Sequence, residues 1–150
     1  MPLLLLVAET EIQAAVRIHG INVHEGGLGR NAVKLHALGT VLVAARLRLG
    51  GTHDGIPELL EHLQENGIRI AVASNKYDAA AKALVTTLFP SISFAAIEGQ
   101  KEGVPVKPDP SVVFEILGAT QVKKADVLYV GDSGVDMETA RRACVDSVGV

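Results

Sequence analysis

Tryptophan is absent from this chain of 150 residues, and only 3% of its residues are aromatic. Its core must therefore be built from aliphatic side chains. There is one cysteine, Cys144, so no internal disulfide can form, and the composition fits a reducing cytoplasm. No long apolar run exists. Leu3–Ala8 is the longest and falls far short of the roughly 20 residues a membrane span needs. Only Met1 and Pro2 precede it, with no Lys or Arg, so it does not read as a signal peptide. Aspartate is missing until Asp54. Excess positive charge is missing too: the net charge is −3, which argues against a nucleic-acid partner. What remains is 48% hydrophobic and 21% charged, the composition of one ordinary globular domain.

The residues are not evenly spread. The histidines (His19, His24, His36, His53 and His62) all lie at or before residue 62, and every Phe and Tyr lies at or after Tyr77. The histidines lack paired metal-ligand spacing and read as surface or loop residues. A stretch up to about residue 53 is hard to read. Leu3–Val7 fits a buried strand or the start of a helix; Glu11–Ile18 and Ala32–Leu49 read as helices, and Gly20–Arg30 as a glycine-rich loop.

From residue 54 the pattern becomes regular. Asp54 is placed to cap a helix with Ile56, Leu59, Leu60 and Leu63 on one stripe, ended by Gly67. Ile68–Ala73 (IRIAVA) reads as a strand. Asp78 opens a helix with Ala81, Leu84, Val85 and Leu88 on one side, and Phe94–Ile97 is a weaker strand. Asp109-Pro110 reads as an N-cap followed by proline at the first helical position, with Val113, Ile116 and Leu117 as the core face. Val127–Val130 is a strand, Asp136–Cys144 a helix with Cys144 packed on its apolar side, and Ser147–Val150 a last strand. Apolar strands without alternation, separated by helices, predict an α/β fold with a parallel sheet covered on both faces. In such sheets ligands bind beyond the carboxyl ends of the strands.

Polar residues concentrate where those strands stop. Ser74-Asn75-Lys76 follows IRIAVA, Gly131-Asp132-Ser133-Gly134-Val135-Asp136 follows VLYV, and Val106-Lys107-Pro108-Asp109-Pro110 lies between. Asp132 and Asp136 are hard oxygen donors suited to Mg²⁺. Ser74 offers a hydroxyl and a backbone N–H to a phosphoryl oxygen, and Lys107 a fixed positive charge. Each residue taken alone has a plainer reading, as a turn, a solvated lysine or a helix cap. Their joint placement at strand ends favours a shared site.

Residues 54–150 resemble the haloacid dehalogenase-type hydrolases, in particular the phosphoglycolate phosphatase-like branch. Gly55-Ile56-Pro57-Glu58-Leu59-Leu60 resembles the segment where the chain returns from a small cap to the core. Ala73-Ser74-Asn75-Lys76 resembles the second motif of the family, Lys107-Pro108 the third, and Gly131-Asp132-Ser133 with Asp136-Met137 the fourth, all in family order. The resemblance implies a three-layer Rossmann-like core and aspartyl-phosphate chemistry on a small phosphorylated substrate. It implies Mg²⁺ as cofactor at Asp132 and Asp136, phosphate binding by Ser74, Asn75 and Lys107, and catalytic roles for Lys107 and Ser74. No nucleic acid and no membrane enters that chemistry.

The chain departs from the family at the first motif. The nucleophilic Asp-x-Asp pair belongs at the end of the first strand, and Asp54, in Thr52-His53-Asp54-Gly55-Ile56, has neither a buried strand before it nor a partner two positions away. The expectation is an atypical segment over 1–53, mostly helical, ahead of a core over 54–150 that stops before its closing elements. The chain is then a fragment, or carries a foreign first stretch, and turns over phosphomonoesters poorly. An alternative places Leu3–Val7 as the missing first strand, with Glu9 and Glu11 emerging near the site in place of the aspartates. The plainer reading of those glutamates is enrichment of a helix first turn. A non-catalytic phosphate- and metal-binding domain is the competing function. A generic nucleotide-binding domain is weaker, because the glycine patterns for it are absent.

Overall fold

The structure, a computed structural model, describes residues 3–6 and 56–149. Five parallel strands form one sheet in the order β3-β2-β1-β4-β5. They are β1 (Leu3–Leu6), β2 (Arg69–Tyr77), β3 (Phe94–Gln100), β4 (Val127–Gly131) and β5 (Asp146–Gly149). The helices between them are α1 (Ile56–Glu65), α2 (Asp78–Leu88), α3 (Ser111–Thr120) and α4 (Gly134–Ala143), with a 3₁₀ turn at Lys124–Asp126. The central strand is β1. Leu3–Leu6 runs opposite Arg69–Val72 of β2 on one side and Val127–Val130 of β4 on the other. Of the readings open for Leu3–Val7, the structure takes the strand.

Strand β2 shows how the layers arise. Successive side chains of a strand point to opposite faces. Ala71 and Ala73 join Val113, Ile116, Tyr129, Ala140 and Ala143 in a cluster beneath α3 and α4. Ile70 and Val72 join Leu60, Val85, Phe89 and Ile92 in a second cluster beneath α1 and α2. Both faces of β2 are thus dry, which is why its sequence is apolar without alternation. The result is the three-layer α/β architecture expected from the sequence.

Helix ends follow the sequence signals with small shifts. The backbone reverses after α1 at Gly67, whose φ of 70° is costly for a side-chain-bearing residue. In α1, Leu60 is buried, whereas Leu59 of the expected stripe is 45% exposed. Asp109 is not the N-cap of α3: the helix begins one residue later than expected, with Pro110 in the cap position and no side-chain cap bond, and Asp109, one residue before it, accepts from Ser111 N at 2.9 Å. Helix α4 begins at Gly134, two residues earlier than expected, because Ser133 caps it and accepts from Asp136 N. Cys144 does not pack on α4. It ends the helix in the left-handed conformation, φ 56°, and is exposed. Strand β2 runs on through Ser74–Lys76 to Tyr77, past the expected end at Ala73, with a register irregularity against β3 between Ala73 and Tyr77. The expectations for Glu9, Glu11–Ile18, Gly20–Arg30, Ala32–Leu49 and Asp54 lie outside the described residues. Among the described residues no helix is long and apolar enough to cross a membrane.

Candidate functional site

The order β3-β2-β1-β4-β5 places the chain's changes of direction on either side of β1, and in open parallel sheets the carboxyl edge at such a point is where ligands bind. Three segments meet at this edge: the end of β2, the loop before α3, and the junction of β4 with α4.

Lys107 joins all three. Its side chain is buried, and Nζ donates to Asp136 Oδ1 at 2.8 Å and to the carbonyl oxygen of Ala73 at 3.3 Å. A buried ammonium is tolerated only with such partners. Asp136, in the first turn of α4, is also fully buried. Its Oδ1 accepts from the Tyr129 hydroxyl at 3.2 Å as well, and its Oδ2 from Ser133 Oγ at 2.6 Å. Burial pushes the Asp136 carboxyl up, and the hydrogen bonds from Lys107 and Ser133 outweigh it, holding the group ionised below its usual range.

Local sequence makes this seat possible. A Cβ on Gly131, the last residue of β4, would lie 2.3 Å from the Cβ of Asp136, so only glycine lets α4 start this close to the strand. Tyr129 points its hydroxyl at the same carboxylate from within β4. Asp132 follows Gly131 directly, and its Oδ1 lies out of reach of solvent.

On the β2 side, Ser74 is buried, and its Oγ accepts from Lys76 N at 3.0 Å, closing a tight hydroxyl turn. The hydroxyl keeps its own hydrogen as a donor. The side-chain amide of Asn75 faces the main chain of Lys107: Nδ2 donates to Lys107 O at 3.1 Å and Oδ1 accepts from Lys107 N at 2.8 Å. The Lys107–Pro108 peptide bond is cis. Ser74, Asn75 and Lys107 line one shallow recess with Gly99, Lys101 and Val106.

The structure therefore brings Ser74, Asn75, Lys107 and Asp136 to one sheet edge, with Asp132 at the strand end that Lys107 reaches. Sequence reasoning missed Tyr129 at this edge, and it placed Gly131 and Ser133 in the motif without giving either a role. A signal existed for Tyr129, since a buried phenol needs a partner for its hydroxyl. Gly131 is marked in the sequence only by its place in the Gly131-Asp132-Ser133 motif, which does not show that its missing side chain makes room for Asp136.

The donor set bears on a metal. Among the described residues no three His, Cys, Asp or Glu side chains form a group. Asp132 at the strand end is a carboxylate of the kind Mg²⁺ takes, one or two with several waters kept, whereas both oxygens of Asp136 are already engaged by Lys107, Tyr129 and Ser133.

Comparison with known proteins bears on the family and the fold. A family model described as haloacid dehalogenase-like hydrolase matches residues 48–150. A phosphoglycolate phosphatase of Mesorhizobium japonicum is 34% identical over 98 residues, covering 65% of this chain and 43% of that protein. The chain thus spans less than half the length of this curated relative. Among solved structures, a phosphonoacetaldehyde hydrolase-like protein of Oleispira antarctica superposes with a TM-score of 0.67 at 16% identity, covering 99% of this chain and 72% of that one. CbbY of Rhodobacter sphaeroides, solved in complex with phosphate, superposes with a TM-score of 0.62 at 18% identity, covering 98% and 85%. At these identities the superpositions speak for the fold. With a family match over most of its length, and with the strand order and strand-end residues already described, the chain belongs to the haloacid dehalogenase-like hydrolases.

Proposed function

We propose that the carboxyl edge of the sheet is a Mg²⁺-dependent phosphomonoester site of the phosphoglycolate phosphatase type, acting on a small phosphorylated metabolite in the cytoplasm. The observation that carries this reading is the buried Lys107 ammonium, held between Ala73 O and Asp136 at the strand ends. A fixed, desolvated positive charge at such an edge is suited to balancing charge on a phosphoryl group, and a preorganised charge needs no reorganisation when that group arrives. The relatives named phosphoglycolate phosphatase support the substrate class.

The residues divide the work by position. Ser74 donates its hydroxyl hydrogen to a phosphoryl oxygen, and Asn75 shapes the turn beside it. Lys107 neutralises the phosphoryl charge. Asp132 is the direct donor to the metal. Asp136 supports it from behind, because three protein donors already engage its two oxygens. Mg²⁺ bound there would polarise the phosphoryl oxygens and shield the approach of a nucleophile. The division of the chain near residue 53 is proposed for sequence character only, supported by a family match that begins at residue 48, because β1 from before that point is the central strand of the same sheet.

A second reading, a domain that binds phosphate and metal without turnover, is favoured by the sequence after β1. Val7 and Ala8 follow the central strand, and neither carries a nucleophile. Glu9 and Glu11 are the nearest carboxylates, and glutamate is one methylene longer than aspartate. The test is phosphate release from 2-phosphoglycolate and from an aryl phosphate with Mg²⁺, on the parent chain and on Glu9→Gln and Glu11→Gln. Turnover lost in either variant assigns the nucleophile to that glutamate. Absence of turnover with phosphate still bound establishes the second reading. Absence of both turnover and binding contradicts the site.

A further inference from the structure

We infer that Asn75 is a positioning residue, which fixes the Lys107 ammonium at the site by clamping the Lys107 main chain. The inference rests on the reading of this edge as a phosphoryl site and gives Asn75 a task other than contact with phosphate through its side chain.

Lys107 sits in the loop between β3 and α3, outside any strand or helix. A four-carbon stem on a loose backbone would let the ammonium wander by several ångströms, and a misplacement of about 1 Å is enough to cost around a hundredfold in rate. Asn75 restrains that backbone directly. Its amide presents a donor and an acceptor side by side, as a peptide group does. Both meet Lys107: Nδ2 donates to its carbonyl at 3.1 Å, and Oδ1 accepts from its N–H at 2.8 Å. The two bonds fix the residue on both sides of its Cα, a strand-like pairing made by a side chain. The far end of the same lysine is held by Asp136 and by the carbonyl of Ala73, two residues before Asn75. The end of β2 therefore grips Lys107 twice, at its backbone through Asn75 and at its tip through Ala73. Neighbouring Ser74 stands on that same rigid segment, so hydroxyl and ammonium are held in one fixed relation.

The chemistry selects asparagine. Aspartate would set an oxygen against the Lys107 carbonyl, serine is too short to reach both groups, and leucine fills the volume with no hydrogen bond at all.

The experiment uses the full chain labelled with ¹⁵N-lysine. The Lys107 ammonium signal is assigned by its loss in Lys107→Arg, and inorganic phosphate and Mg²⁺ affinities are measured by calorimetry. In Asn75→Leu the ammonium signal should shift and its hydrogen exchange should accelerate by about tenfold or more. Phosphate should bind about tenfold more weakly, equivalent to roughly 1.4 kcal/mol, with Mg²⁺ affinity held within about twofold. An unchanged ammonium signal overturns the inference, as does a parallel fall in Mg²⁺ affinity, which would mark general collapse of the site. If Asn75→Leu fails to fold, Asn75→Ala, which empties the space rather than filling it, is read in the same way. If the parent chain binds no phosphate, the phosphoryl reading fails, and the ammonium signal alone decides the role of Asn75.

Discussion

Lys107 and Asp136 illustrate how a single residue can be read in sequence for one part of its role and not for another. Their presence at strand ends was legible, because polar residues there stand out against apolar runs. Their pairing was not, because a sequence does not show that the β3–α3 loop folds back onto the β4–α4 junction. Asp136 was expected at a metal; the structure turns its two oxygens to Lys107, Tyr129 and Ser133. A prediction about stability follows. Removing one member of a fully buried pair leaves an uncompensated charge, so Lys107→Met should destabilise the fold by about 3–5 kcal/mol. Replacing both, in Lys107→Met with Asp136→Leu, should lose less than either single change predicts when summed. Urea unfolding of the three variants checks this, and simple additivity would contradict a coupled pair. Gly131→Ala should also destabilise, by about 1–3 kcal/mol, because its new methyl group meets the Asp136 Cβ. Asp132→Asn, by contrast, should weaken Mg²⁺ binding measured by calorimetry while leaving the unfolding midpoint nearly unchanged.

At the level of elements, β2 and β4 were legible from unbroken apolar runs, and α2 and α3 from their apolar stripes. β1 was ambiguous, since four consecutive leucines have no periodicity to separate strand from helix. The irregular end of β2 was also hidden, because Ser-Asn-Lys reads as a turn whether or not a strand continues through it. The junction of α2 with β3 shows what such ends depend on. The Asp78 carboxylate accepts from Gly99 N at 3.0 Å and from Lys82 Nζ at 2.7 Å. A Cβ on Gly99 would lie 2.5 Å from both Asp78 Cα and Lys76 O, so Gly99→Ala should force backbone movement and lower the unfolding midpoint. Burial raises the Asp78 carboxyl, and its bonds to Lys82 and Gly99 more than offset this, so the group titrates below 3.8. On α4, hydrogen bonds from Arg141 and Arg142 hold Glu138 down from 4.5 to about 2. Both folded-state values are depressed, so their stabilisation is complete above the unfolded values and disappears as pH falls through the folded ones. The melting midpoint should therefore drop as pH falls from about 4.5 to about 2. Asp78→Asn with Glu138→Gln should flatten that acid limb in a series of melts across this range; parallel curves for parent and variant would contradict the assignment.

For the whole molecule, the strand order β3-β2-β1-β4-β5 explains why residues far apart in sequence share one edge. β1 in the middle separates β2 from β4, and Lys107 crosses that gap to bind Ala73 on one side and Asp136 on the other. The α/β class and the order of the strand-end residues could be read from sequence, because helices and strands alternate over 56–149. Which residue would attack phosphorus could not, because Val7 and Ala8 follow β1 and neither is the carboxylate that the resemblance leads one to expect there. Catalytic groups act as a unit, so the proposed site, with no nucleophile directly after β1, should bind far better than it turns over. The central claim is thus about binding. Inorganic phosphate titrated calorimetrically into the chain, with and without Mg²⁺, tests it most directly. The account predicts saturable binding at one site per chain that strengthens when Mg²⁺ is present. No saturable binding in the presence of Mg²⁺ would contradict it.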